Sequence, residues 1–235
     1  MDDTPDIPRI AGLLADTART RIMWALIDGS TRPAGELAYA ANISAQSASA
    51  HLTKLVGGGL LATEAQGRHR YFRIANAEVA CMIESMAALS MDIAPHMPHC
   101  SPPPRAMPEA FMHARTCYDH LAGEMAVNLL TSMLKARWLR RKGPEIVVTR
   151  SGEQQLRAFG IDLESARGER RVFARPCADL TQRSPHLGGA LGAAMLDLYV
   201  NEGWVLRSPR SRIVSITPKG NAMFSKILEV GSAET

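Results

Sequence analysis

No stretch of this chain is apolar for long enough to cross a bilayer as a helix, which argues against a helical membrane protein. The opening residues, Met1-Asp-Asp-Thr-Pro-Asp6, are acidic and lack the apolar run of a signal peptide, so the expected compartment is the cytoplasm. Cysteine is scarce. Four residues (Cys81, Cys100, Cys117 and Cys177) among 235 are too few and too scattered for a disulfide framework, and reduced thiols are expected. There is no glycine-rich phosphate loop, no nucleophile elbow and no His-Glu-x-x-His zinc motif, so an enzyme is not expected. With 46% hydrophobic and 21% charged residues, the composition is that of an ordinary soluble protein of one or two domains.

What is present is an order of elements. Apolar residues from Ile10 to Ile27 recur at spacings of three and four, which predicts one amphipathic helix. Ser30-Thr31-Arg32-Pro33 supplies a stop and a restart. A short helix over Ala34–Ala41, a turn at Asn42-Ile43-Ser44 and a second helix over Ala45–Leu55 follow, ended by Gly57-Gly58-Gly59. Leu60–Glu64 and Tyr71–Ile74 read as strands joined by the cationic tip Gln66-Gly67-Arg68-His69-Arg70. This is the order of a winged helix-turn-helix, and the function it points to is binding of double-stranded DNA.

Charge supports that reading only locally. Residues 1–90 carry eight Lys/Arg against nine Asp/Glu, although the whole chain has a net charge of +4. Within Ser44–Arg73 there are four cations (Lys54, Arg68, Arg70, Arg73) against Glu64 alone, as expected of a phosphate-binding surface. Side chains in a major groove must donate to and accept from base edges, and Gln46, Ser47 and Ser49 suit that task. Ser44 is placed to cap the helix and leave its first amides near a phosphate. His51 and Lys54 lie further along the same helix, while Leu52 and Leu55 face inward. Arg68, His69 and Arg70 at the hairpin tip would meet the flanking backbone or minor groove, adding affinity rather than sequence reading.

The chain resembles the ArsR family of winged-helix repressors. The likeness is carried by Leu14-Ala-Asp-Thr-Ala-Arg-Thr-Arg-Ile22, Glu36-Leu-Ala38, Ser49-Ala-His-Leu-Thr-Lys-Leu55, Gly59-Leu60-Leu61 and Gly67-Arg-His-Arg-Tyr71, and covers residues 9–90. The resemblance implies a homodimer that binds a palindromic operator and leaves it when an inducer binds. It also implies a dimer interface from the first helix, Ile10–Ile27, and the helix after the wing, Asn76–Ser90. Two sensing sites known in that family have no counterpart. Glu36–Ala41 contains no thiol, and residues 76–90 contain no histidine. Cys81 reads as a small apolar residue.

Domain boundaries are expected at 1–92 for the winged helix, 93–110 for a Pro-rich extended linker and 111–235 for a second domain. His96, His99 and Cys100 in the linker have the donor types of a soft-metal site but read more readily as a chance cluster. The second domain repeats itself. Ala114-Arg-Thr-Cys-Tyr-Asp119 is echoed by Ala174-Arg-Pro-Cys-Ala-Asp179, and His120-Leu-Ala-Gly123 by His186-Leu-Gly-Gly189. Each His precedes a Trp (Trp138, Trp204) by 18 residues, and each Trp precedes a strand-like run and a Thr-x-x-Gly turn (Thr149–Gly152, Thr217–Gly220). The copies differ by an insertion, Cys-x2-His in the first against Cys-x8-His in the second. The fold class expected is therefore mainly α with small β-hairpins (α+β): an N-terminal winged helix followed by a duplicated helix–hairpin–helix domain. The Cys-Tyr-Asp-His-Leu-Ala-Gly stretch also resembles a regulatory tail seen on a subset of such repressors, which implies no particular ligand.

Cys117 and His120, three apart, are expected to share a helix face, and Ser184-Pro185-His186 to start a helix with Cys177 in the loop before it. Thiolate and imidazole suit zinc or a related soft metal, with Asp119 or Asp179 orienting the imidazoles. Three roles stand open for Cys117, His120, Cys177 and His186: scaffold, metal site, or a thiol sensor using the two cysteines. The function expected is a ligand-responsive, homodimeric DNA-binding repressor whose second half holds an inducer or metal. The alternative is a thiol- or metal-dependent enzyme using Cys117/His120 or Cys177/His186.

Overall fold

The structure, a computed structural model, describes residues 6–66, 69–93, 107–143, 145–182, 184–209 and 211–230. It divides into two compact units, one built from residues up to Ile83 and one from Glu84–Ile93 together with the chain from Met107 onward. The division falls inside a helix, whereas the sequence reading places a boundary at residue 92. Arg68, His96, His99 and Cys100 lie outside the described residues. Among the described residues no helix is long and apolar enough to cross a membrane.

The first unit holds α1 (Ile7–Leu14), α2 (Thr17–Ala25), β1 (Arg32–Pro33), α3 (Ala34–Ala41), α4 (Ala45–Gly57), β2 (Leu61–Gln66), β3 (His69–Ile74) and the start of α5 (Ala77–Ile93). One helix over Ile10–Ile27 is not what forms. Asp16 takes an extended conformation and its carboxylate accepts from the Arg19 amide at 2.9 Å, which caps a new helix. The Arg19 guanidinium donates to the Leu13 carbonyl and Thr20 Oγ1 to the Leu14 carbonyl, satisfying the end of the first helix. Arg32–Pro33, read as punctuation, is also an edge strand paired with Tyr71 and Phe72, a place where proline costs no ladder donor. The sheet order is β1-β3-β2, all antiparallel. Asn42 makes the turn between α3 and α4 in the left-handed region, at φ 56°. Leu37, Leu52 and Leu55 are buried with Ile22, Met23, Leu26 and Phe72.

The second unit carries α6 (Glu109–His113) and then one pattern twice. The first copy is β4 (Arg115–Cys117), β5 (His120–Ala122), α7 (Glu124–Lys135), β6 (Leu139–Lys142), β7 (Glu145–Val148) and α8 (Arg150–Ala158). After α9 (Leu163–Gly168), the second copy is β8 (Arg175–Ala178), β9 (Pro185–Gly188), α10 (Ala190–Asn201), β10 (Val205–Arg207), β11 (Val214–Ile216) and α11 (Pro218–Val230). Each copy therefore opens on a hairpin that the helical expectation missed. The copies exchange contacts reciprocally: β9 packs on α7 and β5 on α10. Backbone bonds cross the same way, from Ile146 N to Ala174 O at 3.2 Å and from Val214 N to Ala114 O at 3.0 Å. Trp138, Trp204, Tyr199 and Phe224 fill the shared core, with Tyr199 stacked on Trp204 at 5.3 Å.

The repeated Thr-x-x-Gly is a helix start rather than a turn alone. Thr149 and Thr217 cap α8 and α11 by accepting from the amides of Gly152 and Gly220, each at 3.0 Å. Each threonine hydroxyl also donates to a carbonyl just upstream, of Arg137 at 2.6 Å and of Gly203 at 2.8 Å. The glycines are required by close approach. A Cβ at Gly152 would lie 1.9 Å from the Trp138 carbonyl oxygen, and one at Gly220 2.0 Å from that of Trp204. Gly152→Ala and Gly220→Ala are each expected to lower stability by about 1–3 kcal/mol in urea unfolding. Gly168→Ala, with nothing within 4 Å of its Cβ, should change it by less than about 0.5 kcal/mol.

Candidate nucleic-acid interface and a buried Cys-His centre

Ser44 is the N-cap of α4: its hydroxyl oxygen accepts from the Ser47 amide at 3.1 Å and its O–H donates to Ser47 Oγ at 3.0 Å. Ser44, Gln46, Ser47, Ser49 and Lys54 are all exposed, while Ala48, Leu52 and Leu55 are buried on the other side of the helix. His51 departs from that face. It is half-buried, with Nδ1 3.7 Å from the Asp16 carboxylate at the start of α2. Arg70 is exposed on β3, its guanidinium 5.5 Å from the centre of the Phe72 ring, which lies on the same face two residues on. His69 opens β3 opposite Gln66, and Arg68 lies outside the described residues. Arg73 does not add to the cationic surface as counted in the sequence. Its Nε donates to Glu64 at 2.6 Å and its terminal nitrogen to the carbonyls of Ile74 and Ala75.

In the second unit, Cys117, His120, Cys177 and His186 are brought together, although no helix carries them. Cys117 stands opposite His120 in the β4–β5 hairpin, and Cys177 opposite His186 in the β8–β9 hairpin. Cross-strand pairing does here what helical spacing was expected to do, and it absorbs the six-residue insertion in the hairpin loop. All four residues are buried, and one ligand atom from each lies within 4.8 Å of the others. Gly188 leaves the room: a Cβ there would press on Cys177 Cβ at 3.2 Å and on His120 Nε2 at 3.3 Å.

Carboxylates set the imidazoles. His120 Nδ1 is 3.1 Å from Asp119 Oδ1, and His186 Nδ1 is 3.0 Å from Asp179 Oδ2. An ionised carboxylate only accepts, so in each ring the proton belongs on Nδ1. The two Nε2 atoms then face each other 3.1 Å apart. Burial opposes charge on His120, but Asp119 and Cys117 outweigh it and raise its pKa. Asp119 is itself held below the usual carboxylate range: burial pushes it up, while His120 and Arg171 prevail in lowering it.

Asp179 is the more deeply seated of the two. Its Oδ1 accepts from Arg115 (3.0 Å), the Thr181 amide (2.9 Å) and the Gln182 amide (3.0 Å), and its Oδ2 from the Gly123 amide (2.7 Å). Burial pushes its pKa up, yet His186, Arg115 and Gly123 together hold it well below the ordinary carboxylate range. Arg115 was not singled out from the sequence. The repeat places an arginine two residues before each cysteine, but Arg175 is exposed and Arg115 wholly buried.

A helix-turn-helix domain family model matches residues 14–64. Across 226 residues the chain is 40% identical to YdfF, an uncharacterised HTH-type transcriptional regulator of Bacillus subtilis (strain 168), covering 96% of this chain and 98% of that protein. The chain belongs to the HTH-type transcriptional regulators. Solved structures with partial likeness include the homodimeric winged helix-turn-helix DNA-binding domain of Mb0332 from Mycobacterium bovis, a possible ArsR-family transcriptional regulator. It is 26% identical over 43% of this chain and 100% of that one, with a TM-score of 0.36. The cadmium sensor CMTR of Mycobacterium tuberculosis is 34% identical over 32% of this chain and 75% of that one, at 0.28.

Because the identity to the Bacillus protein spans nearly both chains, it covers the second unit as well as the winged helix. The two carboxylates of that unit differ in what they hold. Asp179→Asn removes the buried counter-charge of Arg115 and is expected to cost about 3 kcal/mol in urea unfolding. Asp119→Asn, where the Asp119–Arg171 pair is about one-third exposed, should cost less than about 1 kcal/mol.

Proposed function

We propose that the protein is a cytoplasmic, homodimeric repressor that reads an operator with α4 and its wing, and that Cys117, His120, Cys177 and His186 hold a soft metal ion of the zinc class as its effector. One observation carries the metal assignment. Two buried imidazoles, each with Nδ1 turned to a carboxylate, direct their Nε2 lone pairs at one point between them. Two lone pairs 3.1 Å apart repel unless a cation, a proton or a metal, lies between them. The two cysteines beside that point make a soft metal the better occupant, since thiolate and imidazole together are the donor set of closed zinc sites. Tetrahedral zinc with ordinary bond lengths needs its ligand atoms roughly 3.3–3.8 Å apart, so the two Nε2 atoms must part by a few tenths of an ångström and the wider pairs close in. Four protein ligands leave no open position for a substrate, which favours a sensor over an enzyme.

Pairing of two copies is supported by the apolar side chains left exposed on the helix after the wing, which the ArsR resemblance assigns to the interface: Met86 and Leu89 on α5. In a dimer the two α4 helices would have to sit about one DNA turn, roughly 34 Å, apart, so a small rotation on metal binding would cost most of the specific affinity.

Two measurements test the reading. Zinc titrated into the reduced, EDTA-treated protein is expected to bind at one ion per chain with release of protons, and Cys117→Ser or Cys177→Ser should abolish tight binding. A wild-type protein that takes up no zinc sinks the metal assignment. In gel shifts on DNA from upstream of the protein's own coding sequence, Lys54→Ala and Arg70→Ala are each expected to weaken binding on all sequences and to lower the salt slope by about one. Gln46→Ala should cost about 1–3 kcal/mol and relax the preference at one base pair. Binding that ignores all three substitutions rejects α4 and the wing as the reading surface.

A further inference from the structure

We infer that Arg115 and Glu84 form a buried relay that transmits occupation of the Cys-His centre to α5. This rests on the metal reading above and names how that site would be coupled to the rest of the chain.

The relay is a buried chain of close charged contacts. From His186 Nδ1 it runs 3.0 Å to Asp179 Oδ2, then from Asp179 Oδ1 3.0 Å to the Arg115 guanidinium, then 3.6 Å from Arg115 Nε to Glu84 Oε1 on α5. The side chains of His186, Asp179 and Arg115 are 0% exposed and that of Glu84 is 3% exposed. Glu84 also meets Arg212 at 2.8 Å. Two carboxylates and two guanidiniums balance in a region of low effective dielectric, where a displaced charge is not screened by water and its neighbours must follow.

One link is open. At 3.6 Å, Arg115 Nε is too far from Glu84 for a hydrogen bond, and neither Arg115 Nε nor either Glu84 oxygen makes one among the described residues. Glu84 keeps its ion pair with Arg212, so the donor left over is Arg115 Nε, and a shift of a few tenths of an ångström would bring it within hydrogen-bond reach of Glu84. Metal on His186 Nε2 polarises the ring and makes Nδ1–H a stronger donor to Asp179. Drawing the Asp179 charge towards the imidazole loosens its hold on Arg115, which is then free to close on Glu84.

The duplicated partner lacks this path. His120 is backed by Asp119 and Asp119 by Arg171, but that arginine is 35% exposed and its other partner is Glu169, 43% exposed. Two copies of the same Cys-His hairpin thus end differently, one in solvent and one on a helix. That helix is unbroken from Ala77 to Ile93, and its residues up to Ile83 belong to the winged-helix unit. A pull on Glu84 acts on the next residue of the same helix.

The test is hydrogen exchange over residues 77–93 of the reduced full-length protein, with zinc and with EDTA, alongside zinc stoichiometry. Zinc is expected to slow exchange around Glu84 by roughly tenfold, within the usual range of coupling between sites. Glu84→Gln should bind zinc at the wild-type stoichiometry and lose the slowing, whereas Glu169→Gln, at the exposed end of the other copy's path, should keep it. A wild-type protein that binds zinc with no change in α5 overturns the relay while leaving the metal site standing, and so does a Glu84→Gln protein that still responds. A wild-type protein that binds no zinc overturns both. The wild-type comparison decides the matter even if Glu84→Gln does not fold.

Discussion

The Asp179 carboxylate, buried and held well below the ordinary carboxylate range, is the constraint around which the second unit is arranged. It answers Arg115 and His186 with its two oxygens and takes the amides of Gly123, Thr181 and Gln182 besides. A carboxylate out of water is tolerable only when such partners converge on it. Two of those partners, Arg115 and Gly123, lie more than fifty residues away in the opposite copy of the repeat. Asp179 therefore fixes where β4, β5 and β9 lie with respect to one another, and with them the place where two thiols and two imidazoles meet.

Duplication explains why four ligands gather without any one segment supplying them. Each copy opens on a two-stranded hairpin that sets a cysteine opposite a histidine, and each hairpin packs on the helix of the other copy. Neither half could form the centre alone, because half of the donors come across the shared core. The copies have diverged where it matters: Arg115 is buried and Arg175 is exposed, and only the second histidine is backed by an anion out of reach of solvent.

In the winged helix the same economy of charge holds. Of the four cations counted between Ser44 and Arg73, Arg73 is held by Glu64 and two carbonyls, and the neighbouring His51, outside that count, leans on Asp16. The surface offered by α4 is consequently polar more than cationic, with Lys54 and Arg70 as its described positive charges. Such a surface suits reading base edges by hydrogen bonds, with phosphate contacts setting position.

The sequence by itself determined the elements whose signals are local. Ser44 as a cap, Asn42 at the turn, α3, the alternation of the wing strands and the repeat from Cys117 to Gly220 can all be read from neighbours along the chain, because capping, turns and period depend on residues a few positions apart. The break at Asp16 was also written locally, as Asp-Thr-Ala-Arg, but an unbroken apolar period hid it. Tertiary structure decided what depends on pairing across distance. Helical spacing and strand pairing both bring Cys117 and His120 to one side, so only the partner strand could tell them apart. The burial of Arg115, its reach to Asp179 and Glu84, and the convergence of two hairpins on one point follow from long-range packing, for which sequence spacing carries no signal.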